Sequence, residues 1–124
     1  MDISIYLKAF AESDNTPVVI CDLEHTIVYM NKAAIVRYEQ WGGIKLLGSS
    51  LLNCHNHDSN NKIKHVIDWF MVSGDNNRVF TFHNDKENKD VYMVALRDEN
   101  GRLIGYYEKH EYRTKENGIL YDLK

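Results

Sequence analysis

The last third of the chain most narrowly limits how it can fold. Three runs rich in β-branched and aromatic residues, at 78–84, 90–97 and 103–112, are separated only by Asp85-Lys86-Glu87-Asn88 and Asp98-Glu99-Asn100-Gly101. Connections this short and polar join antiparallel neighbours, because a parallel crossover needs a dozen or more residues. A three-stranded meander is therefore expected. Side chains alternate along a strand, so Val91, Met93 and Ala95 share one face of the middle strand and Tyr92, Val94 and Leu96 the other. Apolar residues on both faces predict a sheet covered on both sides.

Upstream, Val18-Val19-Ile20-Cys21 and Thr26-Ile27-Val28-Tyr29-Met30 read as a hairpin around the turn Asp22-Leu23-Glu24-His25. Asn31 is placed to cap a short helix through Tyr38, which Gly42-Gly43 ends. Residues 44–61 are irregular, with Leu46, Leu47, Leu51 and Leu52 as core anchors and a polar loop from Asn53. In that loop Asp58 or Ser59 is expected to cap the next helix. That helix is expected over 61–73, where Ile63, Val66, Ile67 and Phe70 keep a 3.6-residue period before Gly74. A first helix over 2–12 presents Ile3, Tyr6, Leu7 and Phe10 as one stripe. Such a short helix is marginal alone, so the stripe is expected to bury against the outer sheet face or a second copy. The order helix, β, β, helices, β, β, β predicts an α+β domain with one antiparallel sheet. Its parts are an N-terminal helix at 1–13, a domain at 14–113 and a polar tail at 114–124.

Composition excludes several classes. The 124 residues suit one domain. Fifteen Lys and Arg against 18 Asp and Glu give a net charge of −3, without the basic footprint of a nucleic-acid binder. No apolar run approaches the roughly 20 residues that cross a bilayer, and Met1-Asp2-Ile3-Ser4 lacks a basic leader. A cytoplasmic protein is expected, with no membrane or nucleic-acid partner. Cys21 and Cys54 are far apart in sequence and read as free thiols.

Four segments, in order, resemble the PAS domain. They are Pro17-Val18-Val19-Ile20-Cys21-Asp22, Ile27-Val28-Tyr29-Met30-Asn31-Lys32-Ala33-Ala34, Leu47-Gly48-Ser49-Ser50-Leu51-Leu52, and Leu96-Arg97-Asp98-Glu99-Asn100-Gly101-Arg102-Leu103-Ile104-Gly105. Asn53-Cys54-His55 also resembles a bacterial PAS lineage with a Cys-His-Pro loop, with Asn56 in place of the proline. The resemblance implies a five-stranded antiparallel sheet with helices on one face and an N-terminal helix. It implies a sensory or protein-interaction module, often dimeric, that holds a small-molecule ligand or signals to a protein partner. It does not identify the cofactor, because PAS domains hold haem, flavin, small acids, metals or nothing.

By the same resemblance the ligand lies between the helices and the inner sheet face. Val91, Met93 and Ala95 then point inward beneath Phe70, and Tyr107 stands where flavin-binding relatives place a ligand-contacting glutamine. Cys54 and His55 follow the apolar Leu51-Leu52 and are expected to turn inward, leaving His57 and Asp58 nearer solvent. The ligand-site candidates are thus Cys54, His55, Phe70, Val91, Met93, Ala95 and Tyr107. Flavin photochemistry is not expected, because Cys54 lies too far beyond Gly48 and is followed by His55 rather than arginine. Haem is not expected either, since His65 falls off the apolar stripe of its helix and should face solvent. Cys54, His55, His57 and Asp58 carry metal-ligand atoms, but neighbours in one loop seldom converge on one ion. His55 with Asp58 is the one compact acid–base pair, too little for an enzyme assignment.

Overall fold

The computed structural model describes all of residues 1–124. The elements are α1 (Ser4–Ser13), β1 (Val19–Asp22), β2 (Ile27–Met30), α2 (Lys32–Arg37), 3-10 turns at Glu39–Trp41, Gly43–Leu46 and Leu51–Cys54, α3 (His57–Val72), β3 (Arg78–Asn84), β4 (Lys89–Arg97) and β5 (Leu103–Tyr112). The five strands form one sheet in the order β2-β1-β5-β4-β3, and every neighbouring pair is antiparallel. The expected α+β architecture, with a five-stranded antiparallel sheet, is what the chain adopts. Strands β1 and β5 pair near the middle, so the chain must cross from the β2 edge to the β3 edge. Helices α2 and α3 and the 3-10 turns make that crossing over one face. They close the core around Cys21, Ile27, Met30, Ala34, Ile63, Ile67, Phe70, Met93, Leu103 and Tyr106.

Two turns show how local chemistry sets the strands. Asp22 Oδ1 accepts from the amides of Glu24 (2.9 Å) and Thr26 (3.0 Å). Asp98 Oδ1 accepts from those of Asn100 (2.9 Å) and Arg102 (3.0 Å). The fourth residue of each turn is left-handed: Gly101 at φ 80° and His25 at φ 66°. Aspartate stabilises such turns by bonding the backbone two residues on.

Asn31 caps α2 as expected, accepting from the Ala34 amide at 2.9 Å. It does more, because it is fully buried. The same oxygen accepts from the Val18 amide at 2.9 Å, while Nδ2 donates to the carbonyls of Ala11 and Thr16 at 3.0 Å each. One side chain thereby ties α1, the approach to β1 and α2 together.

Three expectations are corrected. Helix α3 begins at His57, and its cap is Asn56, whose Oδ1 accepts from the Ser59 amide at 2.8 Å. His57 to Asn60, read as loop, form its first turn, with His57 and Asp58 exposed and Ser59 and Asn60 half-buried. The stripe on α1 does not pack on the sheet: Ile3, Tyr6, Leu7 and Phe10 are 62, 61, 59 and 66% exposed. The third correction concerns β5. Arg97 pairs with Leu103 but Leu96 pairs with Gly105, so β5 advances two residues where β4 advances one. Such a bulge reverses which residues of the longer strand face inward.

Candidate functional site

Between the inner sheet face and the helical layer lies a cavity of about 260 Å³. Strands β1 and β2 line it with Val19, Cys21, Ile27 and Met30, the helical layer with Tyr38, Trp41, Leu46, Leu51 and Ile63, and strands β4 and β5 with Met93 and Tyr106. Strand alternation delivers Met93 from β4, and the bulge delivers Tyr106, which pairs with Ala95 and Cys21. The lining is largely apolar, with a few polar groups at one end, the usual character of a small-molecule site.

The buried hydroxyl and thiol groups of the wall are held neutral. Burial pushes the Cys21 thiol up to about 11 and the Tyr38 phenol up to about 12. Burial also raises the Tyr106 phenol, as do the neighbouring Cys21 and Asp22. Tyr106 Oη reaches out of the core to His25 Nδ1, 2.8 Å away.

The polar end is built by β4 and β5. His110 is 6% exposed, and its Nε2 lies 3.3 Å from Glu108 Oε1. Its Nδ1 is buried without a hydrogen-bond partner. From here the cavity continues into a groove between α3 and strands β3–β5, which shares Tyr38, His55, Ile63, Met93, Glu108 and His110 with it. Arg37, Lys62, Val91 and Lys89 border this groove. Lys89 is 1% exposed, yet its Nζ also lacks a hydrogen-bond partner.

The sequence candidates are distributed unevenly. Met93 lines the cavity, and Val91 lines the groove. Cys54 and His55 line the cavity at its rim, but both are exposed rather than turned inside. His55 Nδ1 donates to the Leu51 carbonyl at 3.0 Å, which holds the ring at the surface. His57 is exposed as well, so burial does not separate the two histidines. Phe70 is fully buried in the core beside the cavity, and neither it nor Ala95 is among the lining residues. Tyr107 pairs with Val94 and Ile20 on the opposite sheet face, and the inward tyrosine is Tyr106. His65 is exposed on α3, and no three His, Cys, Asp or Glu side chains gather as a metal centre would require.

Sequence reasoning passed over Lys89, Glu108 and His110. One signal was available for Lys89. It precedes Val91, Met93 and Ala95 by the two-residue strand period, so a lysine stood in phase with the buried face.

No protein-family model and no curated protein matches this sequence. Solved structures do match it. The PAS domain of a protein from Colwellia psychrerythraea aligns over 93% of this chain and 100% of its own, with a TM-score of 0.64 and 16% identity. A sensory box sensor histidine kinase from Vibrio cholerae aligns over 90% of this chain and 92% of its own, with a TM-score of 0.58 and 16% identity. A receptor from Vibrio cholerae described as a dual PAS-heme oxygen sensor aligns over 77% of this chain and 91% of its own, with a TM-score of 0.54 and 15% identity. The identities are low and the agreement lies in the fold.

Proposed function

The chain has the PAS fold, and we propose that it is a sensory module whose cavity takes a small organic ligand and whose signal passes through a second copy or a signalling partner. The cavity of about 260 Å³ carries this reading, because it is lined mainly by apolar side chains and has a short polar end. A close-packed core of this size rarely leaves voids much larger than a water molecule. The one acid–base pair in the lining is Glu108 with His110, 3.3 Å apart, and no nucleophile is activated beside it: burial keeps Cys21, Tyr38 and Tyr106 protonated. The reading is therefore of binding without catalysis.

The output side rests on α1. Its exposed stripe is apolar, and its C-terminal turn is tied to the sheet by the Tyr29 hydroxyl, which donates to Glu12 Oε1 at 2.5 Å. Burial and Glu12 together raise the Tyr29 phenol to about 12, so it remains a donor. A shift of β2 around a ligand would reach α1 through this bond and through Asn31. An alternative, a ligand-free interaction module, would keep the stripe and leave the cavity empty.

A nuclear magnetic resonance titration with 1-octanol separates the two readings. Expected are saturable shifts at Ile63, Met93 and Tyr106, with Val94 and Tyr107 unmoved. Absence of saturable shifts at the three cavity residues overturns the ligand-binding reading. For the output side, light scattering at high micromolar concentration should give a dimer mass, and a monomer refutes the second-copy route.

A further inference from the structure

Two buried polar groups lie without a hydrogen bond where the cavity runs into the groove: His110 lines both, and Lys89 lines the groove. Lys89 is 1% exposed and His110 6%, and neither Lys89 Nζ nor His110 Nδ1 makes a hydrogen bond. A lysine on a sheet margin ordinarily runs its stem along apolar surface and leaves its ammonium in water. Lys89 does not. Its contacts are Glu87 Oε2 at 3.4 Å and the Tyr112 ring, whose centroid lies 5.4 Å away. Glu87 is already engaged, since Arg37 donates to both of its oxygens at 2.8 Å. The antiparallel register pairs Lys89 with Tyr112 and Val91 with His110. Lys89 and His110 are thus diagonal neighbours on the inner face, within the reach of one small group between them. Glu87 is thus a counter-charge that Lys89 shares with Arg37, and the Lys89 ammonium keeps donors that no acceptor satisfies, which is rare for a buried polar group.

We infer that the ligand is a small apolar carboxylate, its body in the cavity and its carboxylate held between Lys89 Nζ and His110 Nδ1. This rests on the cavity being the ligand site. A carboxylate has two oxygens and only accepts, which matches two donors on diagonal neighbours of one sheet face. Lys89 supplies the charge. His110 Nε2 faces Glu108 at 3.3 Å, which orients the ring and leaves Nδ1 for the ligand. In its imidazolium form the ring donates from both nitrogens. Two like-charged groups stand beside the ligand: Glu87, 3.4 Å from Lys89 Nζ, is neutralised by Arg37, and Glu108 sits at the opposite edge of the imidazole with a side chain 44% exposed, so water screens it. Lys62, across the groove on the helical side, adds positive charge at its mouth, while Arg37 is engaged by Glu87. An amine would meet repulsion from Lys89, and an alcohol would gain nothing from its charge.

Calorimetric titration of the full chain with octanoate, 1-octanol and octylammonium tests this, because the three share one apolar body. Octanoate should bind at least about tenfold more tightly than 1-octanol, the scale of a hydrogen bond to a charged group, and octylammonium more weakly than either. Lys89→Met should erase the octanoate advantage while leaving 1-octanol within about twofold, and Lys89→Arg should keep it. His110→Gln, which leaves Lys89 in place, should reduce the advantage in part and serves if Lys89→Met does not fold. Equal binding of octanoate and 1-octanol to the native chain overturns the carboxylate while leaving the cavity reading intact. Failure of all three probes overturns both. An unchanged octanoate-to-octanol ratio in Lys89→Met, with a lowered Tm, would make Lys89 a structural partner of Glu87 and overturn the inference.

Discussion

Tyr106 Oη lies 2.8 Å from His25 Nδ1, and the two rings meet edge to face with centroids 5.7 Å apart. The contact joins the cavity wall to the β1–β2 turn. It also explains why a histidine occupies the left-handed position that the matching turn gives to Gly101. A non-glycine residue there carries a steric cost of about 1–2 kcal/mol, which the buried tyrosine bond offsets.

That balance predicts an unusual order of stabilities. His25→Ala keeps the backbone cost and loses the bond, so it should lower stability by about 1–2 kcal/mol. His25→Gly loses the bond but relieves the backbone, so it should lie within about 1 kcal/mol of the native chain. Urea unfolding of the three proteins measures this. Glycine proving the worse substitution would mean that the left-handed turn is not strained.

The same tyrosine shows where sequence reading reached its limit. The strands were legible from turn chemistry and alternation, and Met93 was placed correctly on the inner face. The family resemblance pointed to Tyr107, and counting by two from the inward Leu103 gives the same residue, but alternation holds only while both strands advance together. The bulge opposite Leu96 breaks the step from Leu103 to Gly105, and its one mark in the sequence is Gly105, an isolated glycine inside a strand. The loop before α3 failed for a different reason. Asn56, Asp58 and Ser59 are all competent caps, and only the backbone course selects Asn56. The polar end of the site was hidden because Lys89 and His110 come from two strands and meet only through register.

Gly105 should tolerate no side chain. A Cβ there would stand 2.3 Å from the Cys21 carbonyl oxygen on the neighbouring strand β1. The obstruction is backbone, so relief requires β1 and β5 to part. Gly105→Ala should therefore cost about 1–3 kcal/mol, and faster amide exchange should appear at Cys21 and Asp22. An alanine variant as stable as the native chain would show that the strands have room to separate.

Asn31→Ala should be among the most damaging single changes. It leaves the amides of Val18 and Ala34 and the carbonyls of Ala11 and Thr16 without their partner. Each unsatisfied buried group costs about 1–3 kcal/mol, so a loss of at least about 3 kcal/mol is expected in urea unfolding. Asn31→Asp preserves both acceptor bonds and forfeits the donor bonds to Ala11, Asp14 and Thr16, which should place it between alanine and the native chain only if the acceptor side dominates. Aspartate falling below alanine would assign the larger share to the carbonyls of Ala11 and Thr16.

The two thiols should react at very different rates. Cys21 is buried, and burial holds its thiol at about 11, whereas Cys54 is exposed at the cavity rim. The thiolate is the reactive form. Mass spectrometry after iodoacetamide should therefore find one label on the native chain, at Cys54, and two after denaturation. Equal labelling of both in the native state would mean that the cavity wall opens readily.

Acid should weaken the fold through Glu87. Two hydrogen bonds from Arg37, helped by the charge of Lys89, hold its carboxyl at about 2, below the ordinary 4.5. A depressed carboxyl stabilises the folded state when ionised, so its contribution is complete above about 4.5 and is lost as pH falls through about 2. Its side chain is 30% exposed, so solvent tempers the effect. Glu87→Gln should be less stable than the native chain at pH 6, and the difference should close as pH falls from about 4.5 toward 2. Urea midpoints measured across that interval provide the test. A difference that stays constant with pH would show that Arg37 holds the glutamine amide as firmly as the carboxylate, and that the charge on Glu87 contributes nothing to the fold.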